Sequence, residues 1–222
     1  MNRIPLLLGH RGCRSAGITE NSLVAFAHAM SQGCDGFEFD VRHTRDGRNV
    51  IWHDPSCYGK AVASSDGAEL LGRDGRCLAV LEDVLAQFSK SAFLDIELKV
   101  SGSEESIVAA LQANPPQRGF IVSSFFLEIL LRLRTLDDRL PLGFICDRGS
   151  ALEMWRELPV QVVLPRYNLL QPRIIEEVHR SGRQIMTWTV NNKEQLRSAS
   201  EWGIDGLISD HPELLYQTFH SD

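Results

Sequence analysis

The sequence predicts an α/β fold, a (β/α)8 TIM barrel in a single domain over residues 1–222, and three observations carry that reading. Apolar runs with strand character alternate with helical patterns from end to end. About eight such strand–helix pairs fit into 222 residues, a length common for one barrel. Parallel neighbours need a crossover helix, so this alternation implies a parallel sheet. A doubly wound open sheet is the rival, but its Gly-rich fingerprint is absent, since Gly9-His10-Arg11-Gly12 is not G-x-G-x-x-G.

Leu6 to Gly9 reads as a short buried strand. Ser22 to Gln32 reads as a helix, with Leu23, Phe26, Ala27 and Met30 on one face and Gly33 as its stop. Gly36 to Val41 and Val50 to His53 are strands joined through the turn signal Asp46-Gly47. Pro55 to Ala79, rich in Gly, Ser, Ala and Asp, is expected as an irregular loop over one end of the fold, ended by a helix from Leu81 to Phe88. Strands at Phe93 to Leu98, Phe120 to Ser123, Leu142 to Cys146 and Val160 to Leu164 alternate with helices near Glu104 to Ala113, Leu127 to Leu136 and Ala151 to Glu157. Ile174 to Ser181, Gln184 to Val190, Glu194 to Trp202, Leu207 to Ser209 and Glu213 to Phe219 supply the remaining helices and strands.

Composition narrows the function. Apolar residues make up 43% of the chain, enough for a sizeable core. A net charge of −6 lacks the basic footprint a nucleic-acid backbone requires, so no nucleic-acid partner is expected. Charges interrupt every run before the ~18 apolar residues of a membrane span, so a soluble chain with no membrane span is expected. Met1 to Gly9 reads as a first strand and not a signal peptide, because no small-residue cleavage site follows it. Cys13, Cys34, Cys57, Cys77 and Cys146 are odd in number and widely spaced, which fits reduced thiols in a cytoplasmic protein.

Charge on strands is the informative anomaly. Glu38 and Asp40 point to one face of their strand while Phe37, Phe39 and Val41 face the other, and Asp95, Glu97 and Lys99 repeat the pattern. Both sets lie at strand carboxyl ends, where barrels build active sites. Such clustered carboxylates suit a hard cation, and the competing reading is an ion-pair network neutralised by Lys99 and Arg42. His10 and His53 end two strands and reach the same mouth, where a pair of imidazoles suits paired proton transfers; a core or surface histidine, or a further metal ligand, is the alternative. Arg11 and Lys99 add the positive charge a phosphoryl group needs, against a plain strand-end role for Arg11.

Further along, Trp188 is either a pocket wall or a core aromatic. Asn21 or Ser22 reads as a helix cap, and Asp210 and His211 as a helix start without assigned chemistry. His28, His43, His179 and His220 read as solvated.

In order, His10-Arg11-Gly12, Glu20-Asn21, Glu38-Phe39-Asp40, Asp46-Gly47, His53-Asp54 and Glu97-Leu98-Lys99 resemble the motifs of the glycerophosphodiester phosphodiesterase family. Trp188-Thr189-Val190-Asn191 and the run from Gly206 to Pro212 look like its closing strands, so the resemblance spans nearly the whole chain. It implies a barrel that hydrolyses glycerophosphodiesters to sn-glycerol 3-phosphate and an alcohol with one divalent cation, Mg²⁺ or Ca²⁺, with Mn²⁺ also suitable. By that match Glu38, Asp40 and Glu97 ligate the metal, His10 and His53 form the acid/base pair, and Arg11 and Lys99 hold phosphate. The partner implied is a small-molecule diester, and the sequence carries no sign of oligomeric state.

Two departures stand out. The family commonly carries a longer insertion after His-Asp, often with an Asp-Arg-Thr-Thr stretch, whereas Pro55 to Ala79 is short and lacks it, which implies a more open mouth. Thr19 stands where the family has Pro, a change expected to affect only the loop. A lysophospholipase D-like enzyme on lipids and a catalytically silent phosphate-ligand-binding barrel are the competing functions; the absence of an amphipathic anchor and the full set of site residues count against them.

Overall fold

Parallel strands cannot be joined by a tight turn, so each strand here is followed by a helix that returns the chain, and the repeated crossover curls the sheet until its edges meet. In the computed structural model, which describes residues 3–220, the barrel strands are β1 (Leu6–Gly9), β2 (Gly36–His43), β6 (Phe93–Leu98), β7 (Phe120–Ser124), β8 (Leu142–Cys146), β9 (Val162–Pro165), β10 (Gln184–Thr187) and β11 (Gly206–Ser209). β1 pairs in parallel with both β11 and β2, which closes the ring of eight. Outside it run α1 (Leu23–Ser31), α2 (Leu81–Phe88), α3 (Glu104–Ala113), α4 (Leu127–Leu136), α5 (Gly149–Leu152), α6 (Pro172–Arg180), α7 (Lys193–Glu201) and α8 (Pro212–His220).

The two faces of each strand have different tasks. Outward residues such as Leu7, Phe37, Phe39, Leu94 and Ile96 pack under the helices in the main core. There Phe26 of α1 stacks on Phe37 with centroids 4.3 Å apart, and Phe88 of α2 meets Phe37 edge-on at 5.0 Å. Inward residues Leu8, Ile121, Ile145, Val162, Leu164, Met186 and Ile208 form a second, smaller core inside the ring. Gly36 and Gly206 leave room for it. A Cβ on Gly36 would lie 1.9 Å from the Phe93 carbonyl oxygen, and one on Gly206 2.5 Å from Met186 Cε.

Several elements differ from expectation. The Asp46-Gly47 hairpin forms, and β3 (Asn49–Ile51) pairs antiparallel with β2. β3 ends at Ile51, however, so His53 sits on the following loop and not on a strand. Pro55 to Ala79 is organised and not irregular: β4 (Ser56–Cys57) and β5 (Lys60–Ala61) form a hairpin, two 3₁₀ turns follow, and Val50, Cys57, Val62 and Leu70 bury a small core of their own. The stretch from Ala151 to Glu157 is a short helix running into a 3₁₀ segment, β9 starts at Val162, and β10 stops at Thr187. Among the described residues no helix is long and apolar enough to cross a membrane.

Phe37→Ala removes the ring at the centre of the Phe26 and Phe88 contacts. It is expected to lower the unfolding free energy by about 3–5 kcal/mol, read as an earlier urea midpoint.

Candidate active site

β2 and β6 pair in register so that Glu38 sits opposite Asp95 and Asp40 opposite Glu97. Two-residue periodicity turns all four carboxylates into the barrel, above the apolar inner core. Each is buried. One oxygen from each of Glu38, Asp40 and Glu97 lies within 4.8 Å of the others, the one such group among the described residues.

The loop after β1 wraps this layer. Arg11 and Gly12 adopt left-handed backbone (φ 51° and 79°), and a Cβ on Gly12 would lie 2.6 Å from the Ala25 carbonyl carbon, so only glycine fits against α1. That turn aims the Arg11 amide at Glu38 Oε2 (2.9 Å) and its guanidinium between Glu20 Oε1 (2.7 Å) and Asp40 Oδ2 (3.2 Å). Ser22 alone caps α1 through its hydroxyl. Asn21, also left-handed at φ 54°, reaches inward. Its Nδ2 donates to Asp40 Oδ2 at 2.7 Å and its Oδ1 accepts from the Asp40 amide at 3.1 Å.

Lys99 donates to Glu97 Oε1 at 2.6 Å and lies 3.3 Å from Asp40 Oδ1, so the ion-pair network expected as the alternative is present on the Lys99 side. Arg42 forms no ion pair with these acids; its Nε donates to the His53 carbonyl at 2.7 Å, and it feels Asp40 and Glu97 only at longer range. Even with Lys99 and Arg11 nearby, Glu38 Oε1 and Asp40 Oδ1 are buried without a hydrogen bond. Glu38 Oε1 has no polar partner and Asp40 Oδ1 has only the Lys99 ammonium at 3.3 Å, and with Glu97 they make an all-oxygen donor set that fits a hard divalent cation.

Electrostatics separates the acids. Burial, reinforced by the charges of Asp40, Glu97 and Asp95, holds Glu38 well above the usual carboxylate range. Burial, with the Asp40 charge adding to it, pushes Glu97 up to about 8 and Asp95 to about 7, although Lys99 restrains the first and the Ser123 hydroxyl, 2.6 Å from Asp95 Oδ1, the second. Asp40 is the exception. Burial would raise it too, but Lys99, Arg11 and His53 together with the Asn21 hydrogen bond bring it below its ordinary value.

His10 stands beside Glu38, and His53 is close enough to Asp40 to act on its charge. The His10 amide donates to the Ser209 carbonyl (2.7 Å), and its Nδ1 lies 2.7 Å from Asp210 Oδ1. Burial would raise Asp210, but its bond to His10 and the bond from Asn191 Nδ2 to its Oδ2 (2.6 Å) hold it below the ordinary range. An ionised Asp210 can only accept, so Nδ1 of His10 carries the hydrogen and Nε2 faces inward, 3.8 Å from Glu38 Oε2. His53 Nδ1 pairs with Asp54 Oδ1 at 2.8 Å, and burial lowers its pKa despite the charge of Asp40 and the hydrogen bond to Asp54.

Both histidines, Arg11, Glu38, Glu97 and Lys99 line one cavity, whose opposite wall is Phe125, Ile145, Leu164, Trp188 and Ile208. Trp188 satisfies both readings of it: its ring lines the cavity edge-on to Phe125, and its Nε1 donates to the Leu164 carbonyl at 2.9 Å. All eight residues singled out for chemistry in the sequence thus converge. Asp210, Asn191 and the inward role of Asn21 were missed. Barrel closure was the available signal for Asp210, because it sets the end of the last strand beside His10 at the end of the first.

Divalent ions and protons compete for the same oxygens. Between the ordinary carboxylate pKa of ~4 and the raised values of about 7 and about 8, the folded protein keeps protons that the unfolded chain has released. With divalent ions chelated, the stability these groups contribute is full at the acid end and is lost as pH rises through that window. Mg²⁺ or Ca²⁺ is therefore expected to raise the thermal midpoint of chelator-stripped protein more at pH 8 than at pH 5. Equal shifts at both, or none, would count against an ion on these carboxylates.

Comparison with known proteins places this geometry in context. The model of the glycerophosphoryl diester phosphodiesterase family matches residues 10–214. The chain is 28% identical to a glycerophosphodiester phosphodiesterase of Caldanaerobacter subterraneus subsp. tengcongensis, over 95% of this chain and 96% of that one. Among solved structures, a glycerophosphodiester phosphodiesterase from Parabacteroides distasonis superposes with a TM-score of 0.87 at 25% identity, covering 100% of this chain and 99% of that one. Another, from Thermotoga maritima, gives 0.83 at 25% identity over 98% and 99%.

Proposed function

The chain belongs to the glycerophosphoryl diester phosphodiesterase family, and from that premise we propose that it hydrolyses glycerophosphodiesters in a cation-dependent reaction with His10 and His53 as the acid/base pair. The observation that carries the reading is the buried group of Glu38, Asp40 and Glu97 oxygens beside two histidines at one cavity. A divalent cation of the Mg²⁺ or Ca²⁺ kind, held by those three carboxylates, would supply Lewis-acid polarisation of a phosphoryl oxygen.

The protein's own residues do the rest. Arg11 and Lys99 line the cavity as its cations, with burial opposed and outweighed by the acids around them, so both stay charged and available to a phosphate oxygen. Asp210 holds His10 in the form whose Nε2 faces the cavity. Asp54 does the same for His53. One imidazole accepts the proton of the attacking hydroxyl while the other gives a proton to the departing alcohol oxygen. In net balance a P–O bond to water's oxygen forms, the P–O bond to the alcohol breaks, and sn-glycerol 3-phosphate and the alcohol leave. The apolar wall of Phe125, Trp188 and Ile208 keeps bulk water off one side of the cavity, where fixed charges act more strongly.

Chelator-stripped protein given glycerophosphocholine or glycerophosphoethanolamine is expected to release sn-glycerol 3-phosphate only after Mg²⁺, Ca²⁺ or Mn²⁺ is added; no release with any ion overturns the reading. Glu38→Ala and Asp40→Ala are expected to abolish cation-dependent turnover. His10→Ala and His53→Ala should each cost about 10²–10⁴ in kcat, and full activity in either removes that residue from the pair. Asp210→Asn removes the carboxylate that orients His10 and leaves the cavity-lining residues in place, and it is expected to lower kcat by about 10–100-fold with KM little changed.

A further inference from the structure

The two histidines are held in different ways. His10 follows directly on a barrel strand, its amide donates to the Ser209 carbonyl at 2.7 Å, and its Nδ1 meets an Asp210 that Asn191 holds in turn. His53 has no such frame. β3 stops at Ile51, two residues short of it. The ring partner of His53, Asp54, is 65% exposed, so their bond competes with water and aims the imidazole only if the backbone beneath is fixed.

What fixes that backbone comes from β2. Period-two alternation puts Glu38, Asp40 and Arg42 on one face of this strand, so Arg42 is the next such position beyond the acids toward the mouth. Arg42 pairs with Val50 in the β2–β3 ladder, and beyond Ile51 one further bond runs from the Trp52 amide to the Asp40 carbonyl at 3.0 Å. Past that point the chain leaves the sheet. There the Arg42 side chain takes over, its Nε donating to the His53 carbonyl at 2.7 Å, the only hydrogen bond to the His53 main chain among the described residues.

A plain counter-ion for the acids would pair with them, as Arg11 and Lys99 do. Arg42 is half-buried and does not; Asp40, Asp54 and Glu97 act on it only at longer range. Nor does it line the cavity. Its directed N–H goes instead to a backbone oxygen, where a charged donor makes a stronger bond than a neutral one. On the other side of His53, Trp52 packs on the small core of Val50, Cys57, Val62 and Leu70, and its Nε1 donates to the Ser56 carbonyl at 3.0 Å. The peptide that Arg42 holds joins His53 to Asp54, and because it is planar its orientation constrains where both side chains leave the chain. One bond thus aligns the ring together with its carboxylate.

We propose that Arg42 is a positioning residue for the diesterase chemistry: it holds the His53–Asp54 peptide from the strand that carries Glu38 and Asp40, and so registers the His53 imidazole against the cation site. A reacting group misplaced by about 1 Å loses about 10²-fold in rate, which is the scale such a tether can supply. The proposal rests on the reading of His53 as one of the acid/base pair and adds the residue that ties its loop to the barrel.

The test is a double-mutant cycle on the whole chain, read as kcat and KM for glycerophosphocholine or glycerophosphoethanolamine with saturating Mg²⁺ or Ca²⁺. Arg42→Met, of similar length but without a donor, is expected to lower kcat by about 10–100-fold with KM little changed. Arg42→Gln keeps an N–H donor without the charge and should stay within about 3-fold of the intact protein. In a His53→Ala background Arg42→Met should cost no more than about 2-fold further, because the group it aligns is gone. A loss of fold would instead lower both backgrounds by the same factor, and that result overturns the proposal. So does an unchanged kcat in Arg42→Met, or an equal fall in Arg42→Met and Arg42→Gln, and either leaves the diesterase reading standing if His53→Ala has lost activity. Full activity in His53→Ala, or no cleavage of either ester with any cation, overturns the underlying reading and this proposal with it.

Discussion

Four carboxylates share the inside of one barrel because β2 and β6 pair with Glu38 beside Asp95 and Asp40 beside Glu97. Taking charges out of water costs several kcal/mol per ion, and like charges side by side add to that. Much of the surrounding structure answers this cost. Arg11 arrives from a turn that only Gly12 can complete, Lys99 extends from the end of the same strand as Glu97, and Asn21 gives up a place in the helix cap to bond Asp40 twice. These partners offset part of the charge, and they leave Glu38 Oε1 and Asp40 Oδ1 buried with no hydrogen bond. A site built this way is poised for a cation.

The same inward periodicity divides the barrel along its axis. Beneath the carboxylates, Leu8, Val162, Met186 and Ile208 form an apolar inner layer, in which Met186 packs against Gly206, where a Cβ would lie 2.5 Å from its Cε. Toward the carboxyl ends of β2 and β6 the inward positions become acidic, while Ile145, Leu164 and Ile208 keep the opposite wall apolar. The apolar floor fixes strand spacing, and strand spacing fixes the separation of the carboxylates, so packing far from the chemistry sets its geometry. Outside, the Phe26, Phe37 and Phe88 rings hold β2 against α1 and α2, the helices next to the loops that carry Arg11 and His53.

Two loop systems give the site its asymmetry. The closing strand brings Asp210 and Asn191 to His10, a side that is largely enclosed. The segment after β3 carries His53 and Asp54 on an open side, and its hairpin and small core hold Trp52 and Tyr58 at the rim. One side is fixed by strand pairing and the other by an insertion that can vary without disturbing the barrel.

Much of this was legible in the residues. Alternating apolar runs imply crossovers and a parallel sheet, the missing Gly-rich fingerprint favours the barrel over the open sheet, and acid-x-acid patterns on strands must aim both acids the same way, so Glu38, Asp40, Glu97, His10 and Lys99 could be assigned to one mouth without coordinates. Local pattern does not carry contacts between distant segments. It made Asp210 a helix start and Asn21 a cap, because each has a plausible local role and the competing partner lies 200 or 19 residues away. It read Pro55 to Ala79 as irregular, because two-residue strands and a four-residue core leave no periodicity to detect. The sequence by itself determined which strands carry charge and to which face, since side-chain direction follows from backbone period alone. Only the tertiary structure decided which charges meet, since that depends on strand register and on the closure of the last strand against the first.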